Sequence, residues 1–204
     1  REVHLQVGGA LEEASPDRID ELAPTLAHHF TRARSDEKAL HYCVLAADAA
    51  FRMYANAEAI DHYTYAIDLA LKHDADLERL IHLYTNKGRA QELNGEYDDA
   101  LENYQTMVAM ATDSAEPKLE LAALAARAVV HATQSPKFDP AKALEDCERA
   151  LTPARKLGDR AAEAKVLWAL MLVHVLGVED PVKAVSFGEE SLEAAKEMDL
   201  REQL

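Results

Sequence analysis

The sequence has few of the residues that interrupt helices and few of the residues that build large aromatic cores. Among 204 residues there are seven Gly and seven Pro, and aromatic residues make up 6% of the chain. Most of the Gly and Pro stand between segments of periodic hydrophobicity, which argues against an all-β fold. Alanine dominates the hydrophobic 49%, and alanine has the highest helix propensity. The composition therefore predicts closely packed helices.

Basic residues are also scarce, because 22 Lys and Arg face 37 Asp and Glu and the net charge is −15. Such a surface repels phosphate backbones, so we expect no binding of nucleic acid. No run approaches the roughly 18 apolar residues that a membrane span needs, and no signal peptide opens the chain. Cys43 and Cys147 lack a CxxC spacing and are predicted to be buried thiols in the reducing cytoplasm. Because the first residue is Arg1, we expect the chain to be a piece of a longer protein.

Sequence motifs of catalysis are missing as well: there is no P-loop, GxGxxG, nucleophile elbow or HExxH. The adjacent residues His28 and His29 would face about 100° apart on a helix, so they cannot chelate a metal together. No Cys or carboxylate completes a tetrahedral set at a known spacing. We therefore expect no enzyme activity, no cofactor and no metal site.

A twelve-residue pattern recurs four times, starting at Ala59, Ala100, Ala143 and Ala184. In each copy the first and twelfth residues are Ala, and positions 2, 5, 8 and 9 are mostly apolar. Offsets of 1, 4, 7, 8 and 11 residues follow one face of an α-helix. Each copy is therefore predicted to be an amphipathic helix with a mostly polar outer face, and another helix is predicted before it. The predicted helices span 1–13, 17–34, 36–53, 56–73, 77–94, 97–112, 117–134, 140–157, 160–177 and 181–198, with a bend near Pro24 and a kink at Pro153.

Several residues around the second copy carry a family resemblance: Tyr84, Gly88, Gly95, Tyr97, Ala100 and Tyr104. This segment resembles a tetratricopeptide repeat, a helix-turn-helix unit, and Trp168 stands where that family favours Trp. The period of about 41 residues is longer than the usual 34. Such long repeats resemble the C-terminal repeat region of large bacterial signalling ATPases linked to regulators, cyclases or kinases. Residues 22–70 are similar to the segment that joins the ATPase part to its repeats.

The resemblance implies an all-α fold, a right-handed superhelical solenoid of antiparallel helix pairs. Residues 1–35 would form N-terminal helices that link to a missing upstream domain. Residues 36–204 would form the repeats, at 36–75, 76–115, 116–158 and 159–200. In this family the first helix of each pair lines a concave groove.

The groove assigned in this way has a polar part and an apolar part. The polar part comprises Asp48 and Arg52 in the first repeat and His82, Thr85, Asn86 and Arg89 in the second. The stripe of four residues in the second repeat has donors and no acid before Glu92, so we expect it to attract an acidic or C-terminal segment. Arg89 would serve binding with little effect on stability. The apolar part, in the fourth repeat, comprises Val166, Ala169, Leu170 and Val173, and we expect self-association through open ends involving Leu167, Leu170 or Val173.

These observations favour a non-catalytic protein-interaction or scaffold module, working as the regulatory or sensor arm of a signalling ATPase. Its partner would be a peptide or protein segment held in the groove, and this segment could belong to its own parent chain. The alternative hypothesis is a small-ligand sensor domain that holds a ligand inside the superhelix.

Overall fold

The structure is a computed structural model, and it describes residues 1–73 and 75–197. Within these ranges the chain forms ten α-helices and no strand. In chain order they are α1 Glu2–Ala14, α2 Ile19–Ala33, α3 Asp36–Arg52, α4 Asn56–Lys72, α5 Leu77–Leu93, α6 Tyr97–Ser114, α7 Pro117–Ala132, α8 Pro140–Leu157, α9 Arg160–Leu176 and α10 Pro181–Glu197, with a 3₁₀ turn at Pro16–Arg18. The predicted helices agree with these bounds closely, and α2 and α8 continue through Pro24 and Pro153.

The helices belong to two compact units, Arg1–Glu96 and Tyr97–Leu204. In the first unit, each of the helices α1 to α5 packs against the next, and α3 also contacts α5. In the second unit, α6 to α10 follow the same rule, and α7 also contacts α9. Within each unit, therefore, consecutive helices form pairs and successive first helices touch. This confirms an all-helical, repeat-like fold for the described residues, whereas the repeat boundaries remain a prediction.

The repeated twelve-residue pattern coincides with α4, α6, α8 and α10, and its first and twelfth alanines are buried in every copy. The fifth and eighth residues are also buried, with Gly188 as the half-buried exception. A Cβ at Gly188 would stand 3.1 Å from the Met171 sulfur, so α9 and α10 approach closely there. Positions 2 and 9 are less uniform, because Val185 is 61% exposed. The face predicted from the spacing is therefore the face that packs.

Aspartates fix the starts of four helices. The side chains of Asp76, Asp139, Asp159 and Asp180 each accept a hydrogen bond from the backbone N–H three residues later, at 2.8–3.2 Å. Such caps satisfy N–H groups that have no partner inside the helix. Pro140 and Pro181 directly follow two of these caps and open α8 and α10, as the sequence predicts.

The apolar strip predicted on the surface of the fourth repeat is instead part of the core. Val166, Leu167, Ala169, Leu170 and Val173 are all buried, because α9 packs against α7, α8 and α10. Leu167, Leu170 and Val173 therefore do not form an open surface, whereas self-association of the chain stays a prediction. The predicted helix start at 200–204 lies outside the described residues.

Both cysteines are free and buried, as predicted. Burial raises the pKa of the Cys43 thiol to about 11 and that of the Cys147 thiol to about 12, so both stay protonated at neutral pH. None of the described helices combines the length and the apolar composition needed to cross a bilayer.

We predict that Ala100→Arg disrupts the fold, because Ala100 is fully buried at the first position of the repeat pattern. An unpaired buried charge costs about 3–5 kcal/mol, which corresponds to a fall in Tm on the order of 10 °C. Thermal unfolding followed by circular dichroism measures the change. The matched control is Ala109→Arg, on the exposed side of the same helix. Equal melting temperatures for the two variants would show that the packed face is wrongly assigned.

Candidate functional site

The six residues predicted to line the groove lie on two neighbouring helices of the first unit, α3 and α5. We call this set the α3–α5 polar face; it comprises Asp48, Arg52, His82, Thr85, Asn86 and Arg89. The two helices are in contact, and α5 starts at the capping residue Asp76, whose side chain accepts from the Arg79 N–H at 2.8 Å. The spacings of three and four residues along α5 place its four members on one stripe.

Asp48 is the centre of the α3–α5 polar face. Its Oδ1 accepts a hydrogen bond from the Tyr63 hydroxyl at 2.6 Å and another from His82 Nε2 at 2.9 Å. The rings of Tyr63 and His82 meet edge to face, with their centroids 6.4 Å apart. One carboxylate on α3 thus joins side chains from α4 and α5 and fixes the register of three helices.

Asn86 completes this network from one turn further along α5. His82 donates through Nε2–H to Asp48, which leaves its Nδ1 as the acceptor in the neutral ring. Asn86 Nδ2 lies 3.2 Å from that nitrogen. The structure therefore brings together Asp48, His82 and Asn86 in one hydrogen-bonded network.

The network changes the acidity of its members. The hydrogen bond to Asp48 outweighs desolvation and raises the pKa of His82 above its ordinary value. Burial opposes ionisation of Asp48, but the hydrogen bonds from His82 and Tyr63 outweigh it, so the pKa of Asp48 is lowered. Burial and the Asp48 carboxylate raise the pKa of Tyr63. An ionised Asp48 beside a readily protonated His82 is the favoured state at mildly acidic pH.

Arg52 differs from the other charged members because its guanidinium makes no hydrogen bond or ion pair within 1–73 and 75–197. The side chain is exposed at the C-terminal end of α3, one turn after Asp48. Its charge is near enough to help lower the pKa values of Asp48 and Tyr63. Among the described residues, Arg52 is therefore the exposed cation of the α3–α5 polar face that no carboxylate engages.

Arg89 and Thr85 are placed differently from the expectation. Arg89 Nη1 donates to Glu92 Oε2 at 2.6 Å, and Glu92 is only 8% exposed. Arg89 therefore stabilises a buried carboxylate and does not serve binding alone. Thr85 is half-buried, and its hydroxyl oxygen is enclosed without a hydrogen-bond partner among the described residues. That hydroxyl is not presented to a partner.

The expectation of a stripe without acids also needs correction. Asp48 projects from α3 onto His82, so a carboxylate stands at the middle of the donor stripe. Tyr63 is the functional neighbour that the sequence reasoning missed, because it occupies the fifth, apolar position of the repeat. A buried tyrosine hydroxyl needs a hydrogen-bond partner. A tyrosine at a buried position of the repeat therefore indicated a polar partner on a neighbouring helix.

Comparisons with known proteins give no family assignment: no protein-family model matches the chain, and no curated protein is found to match it. The resemblance to tetratricopeptide repeats therefore rests on the residues of the sequence and on the repeat-like packing of the helices.

We predict that His82→Gln destabilises the protein more at pH 5.5 than at pH 8.5. A raised folded-state pKa contributes stability that is present below about pH 6.5 and is lost as the pH rises through that pKa. The lowered pKa of Asp48 keeps its carboxylate charged at pH 5.5. Because the pair is partly exposed, the difference in Tm between wild type and variant should reach only about 1–3 °C at pH 5.5.

The matched control for this measurement is His62→Gln, on α4. His62 makes no ion pair or hydrogen bond in the described part of the chain, so its replacement removes an imidazole without breaking such a pair. A His82→Gln effect that is independent of pH would contradict the proposed Asp48–His82 pair.

Proposed function

We propose that this chain is a non-catalytic protein-interaction module that binds an acidic or C-terminal peptide segment on the α3–α5 polar face. The observation that carries the proposal is the exposed guanidinium of Arg52 beside a hydrogen-bonded network. Asp48, His82 and Asn86 hold one another in position, so little side-chain freedom is lost when a partner binds. An arginine with free donors is well suited to a carboxylate, which it can bind with two parallel hydrogen bonds.

The charges nearby favour this kind of partner. The carboxylate of Asp48 is already engaged by His82 and Tyr63, and no carboxylate among the described residues forms an ion pair with Arg52. The overall charge of −15 would repel an acidic segment elsewhere, so binding would concentrate where a cation is exposed.

In the larger context we propose that the module is the regulatory or sensor arm of a bacterial signalling ATPase and works in the cytoplasm. This part rests on the resemblance of residues 22–70 and of the repeats to that class of protein. The repeat-like packing within each unit and the free, buried cysteines are compatible with it.

Selection from a random library of peptides with free C-termini tests the proposal. We expect the enriched peptides to be acidic or to require the terminal carboxylate. Arg52→Ala should weaken their binding by about 1–3 kcal/mol, the range of a charge-assisted hydrogen bond, because it removes the free guanidinium. Fluorescence anisotropy measures Kd, and the Tm of the variant should be unchanged because Arg52 is exposed.

Arg32→Ala is the matched control. Arg32 is an exposed arginine on α2, and its substitution removes the same charge. Enrichment of basic peptides, or equal loss of affinity in both variants, would overturn the assignment to the α3–α5 polar face.

A further inference from the structure

Three histidines meet where α1 packs on α2. His4 lies on α1, and His28 and His29 lie on α2. In all three pairings the ring centroids are 5.1–5.8 Å apart. His28 is exposed, and His4 and His29 are half-buried, so protons from the solvent reach all three rings. We call this set the α1–α2 histidine cluster.

The closest contact of the cluster depends on its protonation state. His4 Nδ1 and His29 Nδ1 lie 3.0 Å apart, which is the distance of a hydrogen bond. One of these nitrogens must therefore carry a proton and donate, while the other accepts. The accepting ring is neutral and already carries its own proton on Nε2, so its Nδ1 is the only nitrogen left to protonate. A further proton on that ring removes the hydrogen bond and turns two N–H groups toward each other.

The cations near the cluster add to this repulsion. Desolvation is the largest cause that lowers the pKa of His4, and the charges of His29, His28 and Arg32 act in the same direction. Arg1 Nε donates to the last carbonyl oxygen of α2 at 2.7 Å, which brings another guanidinium to this end of the helix. Protonated imidazoles at this place are therefore disfavoured while α1 is docked on α2.

The acid of α1 that contacts α3 is already engaged. Glu12 lies two turns beyond His4, and its carboxylate accepts hydrogen bonds from Lys38 Nζ and the Tyr42 hydroxyl, each at 2.5 Å. His41 on α3 also acts on Glu12. Desolvation opposes ionisation of Glu12, but these contacts outweigh it and lower its pKa, so the carboxylate stays charged at pH 5.5.

No other carboxylate engages the cluster within the described residues. The other acids of the three helices are Glu2 and Glu13 on α1, Asp20 and Glu21 on α2, and Asp36, Glu37 and Asp48 on α3. In the described part of the chain, none of them makes a hydrogen bond or ion pair with a histidine of the cluster. A positive charge on these rings is thus not offset by an ion pair.

The docking of α1 depends on few other contacts. α1 packs mainly against α2, and a Cβ at Gly8 would stand 2.8 Å from Phe30 Cζ. The Phe30 side chain is completely buried. An element with few contacts opens at a lower free energy than the whole fold, so a weakened histidine contact acts first on α1.

We propose that the α1–α2 histidine cluster is a pH-sensitive switch that holds α1 on α2 at neutral pH and releases it, uncovering Phe30, when the cluster is protonated below about pH 6.5. The released helix allows a proton to bind that the docked contact excludes. Docking is therefore strongest above about pH 6.5 and weakens as the pH falls. The effect is opposite in sign to that of the Asp48–His82 pair, and it does not depend on the proposed peptide binding.

Hydrogen exchange of the full chain, followed by mass spectrometry at pH 7.5 and pH 5.5, tests the proposal. After correction for intrinsic exchange rates, we expect the protection of α1 amides to fall by about tenfold at pH 5.5. This is the effect of one excluded proton between one pH unit above and one below the ordinary histidine pKa. Amides of α7, in the second unit, are the internal control and should keep their protection.

Variants at His4 separate the cluster from other titrating groups. His4→Gln keeps a side chain that can hydrogen-bond but does not titrate, so the pH dependence of α1 protection should disappear. His4→Lys places a permanent cation beside His29 and should release α1 already at pH 7.5. His62→Gln, on α4, is the matched control and should retain the pH dependence of the wild type.

Four results would overturn the proposal. The first is equal protection of α1 at both pH values in the wild-type protein. The second is an unchanged pH dependence in His4→Gln, which would trace the effect to other groups. The third is an equal loss of protection in α1 and α7, which would indicate general destabilisation by acid. The fourth is full protection of α1 in His4→Lys at pH 7.5.

Discussion

Neighbouring helices meet at alanine side chains, and the close approach that alanine permits determines what the remaining residues of each repeat can do. The first and twelfth alanines of the pattern are buried in α4, α6, α8 and α10. With so little volume at these contacts, the fifth position can take a large side chain, such as Tyr63, without opening a gap. Polar groups are then displaced to the margins of the contact, where they meet side chains of the adjacent helices. The α3–α5 polar face arises at such a margin.

Each unit contains a network in which a charged side chain is held by its hydrogen-bond partners. In the first unit, Asp48 is saturated by His82 and Tyr63, and an arginine remains exposed beside it. In the second unit, Arg127 is saturated by the buried Asp146. Burying a charge is costly unless it is paired. The more buried carboxylate of each network, Asp48 or Asp146, is therefore held by its partners. The same physical rule therefore accounts for the Asp48 network in the first unit and for the Arg127–Asp146 pair in the second.

Periodicity made the helices and their packed faces predictable, because burial follows the 3.6-residue turn. The partners of individual polar groups were not predictable, since Asp48 and His82 are 34 residues apart and meet only when α3 touches α5. The Arg127–Asp146 pair depends in the same way on the packing of α7 against α8. The error at α9 had a signal in the sequence: 160–176 is apolar on nearly all sides, and such a helix is buried. The prediction placed α9 along a groove because of the family resemblance, although its hydrophobicity indicated burial.

Photo-crosslinking tests most directly the central claim that a partner segment binds along α3 and α5. Leu93 is 43% exposed and continues the stripe of His82, Asn86 and Arg89, whereas Leu71 is 46% exposed on α4. A photoreactive p-benzoylphenylalanine at each position would be irradiated with an acidic peptide obtained by selection on the wild-type protein. The account predicts crosslinks from position 93 and none from position 71. Equal crosslinking from both positions, or crosslinking from position 71 alone, would contradict it.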